Sequence, residues 1–325
     1  MLLAAIGLPA VISGALIALL MRSRLARHLL DRPNERSLHR VPTLRIGGIG
    51  VMAAALPWAF WQADRSMALV LACAAALALL SLADDLRSLP AGVRLAAHLA
   101  AAALVVSQAG MPLAPAAIVV VAIAWMTNLF NFMDGADGLA GGMGAIGFAA
   151  YAIAAGFAAQ PALAIAAAAL ASACAGFLAF NFPPARVFLG DAGSVPLGFL
   201  AGALGLYGWS RGAWAPWFPC IAFAPFVVDA TITLLRRTAA GERPWHAHRG
   251  HYYQRLVLSG WSTRRLALTE YALMLASAGA ALAARAASLM LQCGIISAAA
   301  LLYALLIVVI EVRLPRAGAA SSPRN

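Results

Sequence analysis

Apolar residues fall into eleven long runs, near 1–21, 47–63, 67–83, 94–110, 114–132, 140–158, 161–180, 194–211, 214–235, 266–285 and 289–311, with short polar stretches between them. Each approaches the ~20 residues that a helix rising about 1.5 Å per residue needs to cross a bilayer core. The apolar-polar alternation of a membrane barrel strand is absent, and helices satisfy their own backbone groups in lipid. Ala, Leu and scattered Gly fill the runs, and small residues of this kind let membrane helices approach closely. The pattern predicts an all-α, polytopic transmembrane helical bundle of about eleven spans. It forms one domain over 1–315, with a short disordered tail over 316–325. Pro219 and Pro225 predict a bend in the ninth span.

Composition agrees. The chain is 63% hydrophobic and 11% charged, with a mean hydropathy of +0.85, which excludes a water-soluble domain of this length. Every one of the 23 basic residues is Arg. With the N-terminus outside and the C-terminus cytoplasmic, all but Arg65, Arg211 and Arg285 lie on or beside cytoplasmic segments, mostly 22–46 and 236–265. The net charge of +11 is therefore a topology signal. It argues against nucleic acid as a partner and for a bilayer with anionic headgroups and for phosphorylated substrates. The first run has no basic segment before it, and Arg22, Arg24 and Arg27 follow it, so it reads as a first helix rather than a cleaved signal. Cys73, Cys174, Cys220 and Cys293 lie far apart inside apolar runs and predict neither disulfide nor metal cluster.

This topology gathers five polar segments on the cytoplasmic side: DRPNERSLHRVPTLRIGG from Asp31, DDLRSLP from Asp84, NLFNFMDGADGLAGG from Asn128, NFPPARVFLGDAGS from Asn181 and HAHRGHYYQRL from His246. Asp84, Asp85, Asp134, Asp137 and Asp191 stand at the ends of apolar helices, where charge is expensive unless compensated, and a bound cation compensates it. Adjacent Asp84 and Asp85 either raise one another's pKa or share a metal. Asn128, Asn131, Asp134 and Asp137 recur every third residue, which would place them along one side of a helix loosened by Gly135 and Gly138. Gly190 and Gly193 flank Asp191, with Ser194 as the expected N-cap of the next span and free helix-start N–H groups to favour a phosphate. His246, His248 and His251 have an H-x-H-x-x-H spacing, but no Cys and no HExxH accompany it; with Arg249 they suit phosphates better than zinc. Asp229, inside the ninth run, is expected to face the bundle interior or a groove, either as a partner for Arg236 or Arg237 or in a direct substrate role.

Taken together and in this order, from Asp31 to Leu256, these segments resemble the polyprenyl-phosphate N-acetylhexosamine-1-phosphate transferase family. PNERSLH with VPTLRIGG, DDLRSLP, NFMDGADGLA and NFPPARVFLGDAGSVPLGF match its four successive signatures. Leu44 and Ile46 depart from its first. The histidine segment is closer to that of O-antigen and other surface-polysaccharide initiators than to that of the peptidoglycan enzyme. The resemblance implies transfer of a sugar 1-phosphate from a UDP-sugar to undecaprenyl phosphate, giving a lipid diphosphate sugar and UMP. It implies Mg²⁺, with Mn²⁺ as a substitute, in a bacterial inner membrane with the site facing the cytoplasm, and it allows a homodimer. Asp191 would then ligate the metal and Asp84 and Asp85 would be catalytic. Uracil recognition would fall near Gly135, Ala136 and Asp137, with Asn181 and Phe188 alongside. Asn128, Asn131 and Asp134 would complete the substrate site, and His246, His248, Arg249 and His251 would contact the diphosphate or sugar.

The chemistry suits these residues. Attack of one phosphate on another needs charge neutralisation first, a task for Mg²⁺ and arginine. A phosphate monoester, with its second pKa near about 6, is largely dianionic at neutral pH and needs little help from a base. Two other readings use the same residues: an intramembrane Mg-dependent prenyltransferase, which releases pyrophosphate, and a transporter, which converts nothing.

Overall fold

The computed structural model describes residues 2–33, 38, 41–243 and 248–314. All eleven apolar runs are helical. They form α1 (Leu2–Met21), α2 (Gly47–Phe60), α3 (Arg65–Arg87), α4 (Ala91–Val106), α5 (Leu113–Met133), α6 (Leu139–Phe157), α7 (Pro161–Asn181), α8 (Asp191–Ser210), α9 (Phe218–Ala222) with α10 (Ala224–Ala239), α12 (Thr263–Arg285) and α13 (Leu289–Arg313). A short α11 (Tyr252–Leu258) precedes α12. Among the described residues eight helices are long and apolar enough to cross a membrane, and the protein is a polytopic, mainly α-helical membrane protein. The remaining three runs differ for visible reasons. Helix α2 has only 14 residues. Helix α8 opens on polar residues. The ninth run is interrupted at Phe223. There Pro225, in the first turn of α10, offers no N–H, and its ring clashes with a continued helix.

Helix α8 is the hub, with sixteen of its twenty residues buried. It packs between α3 and α5, while α7 packs against α1, α2 and α6. The start of α2 crosses the start of α8 with backbones almost touching. A methyl group at Gly48 would lie 2.2 Å from the backbone nitrogen of Gly193, so only glycine lets the two helices meet there. At the other extreme, no residue of α13 is buried.

Helix direction alternates, so the ends of α3, α5, α7 and α10 meet the starts of α2, α4, α6, α8 and α12 at one end of the bundle. That end also carries the only strands among the described residues, which the helical reading did not foresee: β1 (Leu30–Asp31), β2 (Thr43–Arg45) and β3 (Val187–Phe188). β1 pairs antiparallel with β2, and β2 parallel with β3. A further bond from Gly48 N–H to the Leu189 carbonyl, 2.8 Å, extends the join. The strands are too short to show a sequence period, and their pairing arises only when distant loops meet. Their effect is to tie the first polar segment to the one that carries Asp191.

Candidate active site

Two glycines and a helix start place Asp191. Gly190 has φ +73°, in the left-handed region that favours glycine, and turns the chain from β3 into α8. Asp191 is thus the first residue of α8 and Gly190 its cap, not Ser194 as expected. Ser194 lies buried in the first turn, where its Oγ donates to the Gly190 carbonyl at 3.3 Å. Three of the helix-start N–H groups are also taken: Ala192 N–H donates to Asp85 Oδ2 at 3.3 Å, and those of Gly193 and Ser194 turn back to Gly190. Asp85 therefore occupies the position that the sequence suggested for a phosphate.

Around Asp191 the other carboxylates converge. Asn131 Nδ2 donates to Asp191 Oδ1 and to Ser194 Oγ, both at 2.9 Å. Arg94 of α4 stands between Asp84 Oδ2, at 2.9 Å, and Asp191 Oδ2, at 3.7 Å. Arg45 of β2 bridges Asp31, at 2.6 Å, and Asp85, at 3.7 Å. Asp134 caps the C-terminus of α5, and burial together with the charge of Asp191 holds its carboxyl well above the usual carboxylate range. Three carboxylates, of Asp84, Asp85 and Asp191, thus share two arginines, with Asp134 beside them.

The adjacent aspartates have separate surroundings. Asp84 is committed within the protein: Oδ1 accepts Leu89 N–H at 2.5 Å and Oδ2 takes Arg94. Asp85 reaches across to α8. Among the described residues, no three His, Cys, Asp or Glu side chains form a ready-made metal cage.

The central motif divides as well. Helix α5 stops at Met133, so Asn128 and Asn131 are helical, whereas Asp134 and Asp137 lie in the turn before α6 instead of continuing along one helix side. Asn128 Nδ2 donates to the Ala124 carbonyl at 2.7 Å. Asp137 Oδ2 accepts Ala185 N–H at 3.0 Å. Buried Asn181 accepts from Gly138 N–H and donates to the Val187 carbonyl, each at 2.9 Å, so its amide joins this turn to β3. Gly135 is exposed, with Ala136 and Phe188 half-buried, and a side chain at Gly135 would run into the Tyr253 hydroxyl.

A third group sits on the arm from α10 to α11. His246 lies outside the described residues. His248 Nδ1 accepts Gly250 N–H at 3.0 Å, and its ring lies 4.9 Å from that of His251. Burial, with the charge of its neighbours, lowers the His248 pKa to about 4, so the imidazole is neutral at neutral pH. Arg249 and His248 line a cavity of about 150 Å³ with Arg236, Arg237 and Arg255. The arm docks on the end of α5 through Tyr253, whose hydroxyl donates to the Phe132 carbonyl at 3.2 Å.

Asp229 does not pair with Arg236 or Arg237. Arg237 pairs with Glu242, and Arg236 with Glu311. Asp229 instead accepts the N–H groups of Tyr252 and Tyr253, each at 3.0 Å, and contacts His251 Nδ1 at 3.2 Å. It caps α11 from another helix and holds the arm.

Sequence reasoning passed over Arg45, Arg94 and His98. His98 is buried one turn beyond Arg94 and hydrogen-bonds Asn128. The i, i+4 spacing of Arg94 and His98 in an otherwise apolar run was the available signal.

Residues 67–208, from α3 to α8, match the model of glycosyl transferase family 4. The chain is 31% identical to the decaprenyl-phosphate N-acetylglucosaminephosphotransferase of Mycolicibacterium smegmatis, over 74% of this chain and 71% of that protein. It is 27% identical to the "Probable undecaprenyl-phosphate N-acetylglucosaminyl 1-phosphate transferase" of Bacillus subtilis, over 74% and 73%. An 80-residue stretch is 49% identical to the phospho-N-acetylmuramoyl-pentapeptide-transferase of Moorella thermoacetica, covering 25% of each chain. With its helical membrane bundle and its carboxylates gathered at one end, the chain belongs to the polyprenyl-phosphate N-acetylhexosamine-1-phosphate transferases of glycosyl transferase family 4, and is a phosphoglycosyltransferase.

Proposed function

We propose that the protein transfers a sugar 1-phosphate from a UDP-sugar to undecaprenyl phosphate, with Mg²⁺, at the cytoplasmic face of a bacterial inner membrane, as the first step of a surface polysaccharide. A phosphate oxygen of the acceptor attacks the sugar-bearing phosphorus of the donor. The bond from that phosphorus to the bridging oxygen breaks, UMP leaves with its electron pair, and the lipid diphosphate sugar remains. The names of the relatives make UDP-N-acetylglucosamine the first donor to try.

The observation that carries this reading is the excess of carboxylate over arginine around Asp191. The donor set is all hard oxygen, and Mg²⁺ or Mn²⁺ takes one or two such carboxylates while keeping waters and phosphate oxygens. Asp191 and Asp85 would hold it, with Asp134 beside them; when bound, it neutralises charge on the two phosphates. Arg45 and Arg94, each about 40% exposed at the side chain, keep donors available for phosphate oxygens. Gly135, Ala136, Asp137 and Phe188 receive the uracil, with Asn181 joining their turn to β3. His248 and Arg249, on the arm against α5, meet the diphosphate or sugar. Asp84, bound by Leu89 and Arg94, orients Arg94 and α4 rather than moving a proton, in keeping with an acceptor already dianionic near pH 7.

The test is direct. Membranes containing the protein receive several UDP-sugars, undecaprenyl phosphate and Mg²⁺, and UMP and lipid products are identified. UMP release with a lipid-linked sugar is expected, lost on chelation and restored by Mg²⁺. Pyrophosphate release from an added prenyl diphosphate would indicate a prenyltransferase, uptake without conversion a transporter, and either would overturn the proposal.

A further inference from the structure

Helix α13 is joined to the bundle unevenly. None of its residues is buried, and midway along it Tyr303 shares a hydrogen bond of 2.7 Å with Ser277 of α12. Glu311, in its last turn, is different. Its carboxylate accepts from Arg255 Nη1 at 2.7 Å and from the Tyr252 hydroxyl at 3.1 Å, and it forms an ion pair with Arg236.

All three partners flank the arm that carries His248, Arg249 and His251. Arg236 closes α10 and reaches the Gly250 carbonyl at 3.3 Å. Tyr252 and Arg255 lie on α11, and the Arg255 side chain is only 2% exposed. Both guanidinium groups lie over the Tyr252 ring, 5.2 and 5.4 Å from its centroid. Two arginines are thus stacked on one ring with the same carboxylate between them. A buried guanidinium such as that of Arg255 is strongly unfavourable without its counter-ion, and two cations side by side repel. Removing the Glu311 charge would therefore push α10 and α11 apart, and the arm runs between them.

We propose that Glu311 is a positioning residue for the donor-binding arm: by neutralising Arg236 and Arg255 together it sets the angle between α10 and α11, and with it the placement of His248 and Arg249. This rests on the proposed function for what the arm binds. It makes the last helix a support for the site, although none of its residues lies among the carboxylates around Asp191.

The test uses the full chain in lipid nanodiscs, as wild type, Glu311→Gln and Glu311→Asp. Two quantities are measured: hydrogen exchange along the chain, and kcat and KM for UDP-N-acetylglucosamine. Glu311→Gln keeps the size of the side chain but not its charge. It is expected to speed exchange across 248–258 while α3, α5 and α8 keep wild-type protection, and to raise KM about tenfold with kcat within about threefold. Glu311→Asp is expected to recover most of both. Unchanged exchange across 248–258, or exchange that rises alike in every helix, overturns the inference. A wild-type protein that releases no UMP would sink the proposed function, and the exchange pattern would still decide the role of Glu311.

Discussion

The two ends of the bundle use the same materials to different effect. At the end away from the carboxylates, Asp64 caps α3 by accepting Met67 N–H at 2.8 Å, takes the Tyr207 hydroxyl at 3.0 Å and pairs with Arg211. One acid meets one base, both side chains at least 40% exposed, and the charge is settled within the protein. At the site end, Asp84, Asp85 and Asp191 share Arg45 and Arg94, and Arg45 is divided further with Asp31. Helix-end acids that merely finish a fold find a partner and stop. An uncompensated excess works against folding and is kept where a ligand offsets it.

The largest expected effect lies at the heart of that excess. Asp191→Asn keeps the hydrogen bond from Asn131 but loses the charge, and should lower UMP release by about 10³-fold or more, with thermal stability equal to or above wild type. A fall of less than about tenfold would make Asp191 a structural cap like Asp64.

A smaller effect concerns pH. His248 has a folded pKa of about 4 against an ordinary 6.5, so the folded state favours the neutral imidazole. The unfolded chain takes up its proton first, so this residue's contribution is present above pH 6.5 and is lost as pH falls towards 4. His248→Gln should therefore flatten the decline in melting temperature over that window. Parallel declines in the two proteins would show that His248 is freely protonated in the folded arm.

The smallest effect belongs to the other end. Asp64→Asn retains a capping oxygen and loses an exposed ion pair worth about 0–1 kcal/mol, so activity should stay within about twofold and the melting temperature should barely move. A large loss of activity would mean that this end also shapes the site and would break the contrast.

The motifs at the site end were legible because carboxylates and glycines interrupt apolar runs, where polar residues need a reason. Asp84, Asp85, Asp134 and Asp191 stood out in this way. Their division of labour did not. Nothing in the dipeptide Asp84-Asp85 shows that one side chain binds Leu89 N–H and Arg94 while the other crosses to the start of α8. Asp229 was visible as an acid in an apolar run, yet its partners on α11 lie 22 to 24 residues away. Glu311 gave no signal at all, and Arg45 none beyond its place in the VPTLRIGG segment, since single charges near helix ends are common.

What the sequence determined by itself was the helical membrane architecture and the family, because hydrophobic run length and ordered motifs are local properties that survive without knowledge of any contact. Tertiary structure decided how the ends of those helices meet: the small sheet joining Asp31 and Arg45 to Phe188, the touch of Gly48 on Gly193, and the hold of Glu311 on the histidine arm. Pairings between residues far apart in the chain depend on how the helices pack, and a charge acquires its role only from the partner that packing brings to it.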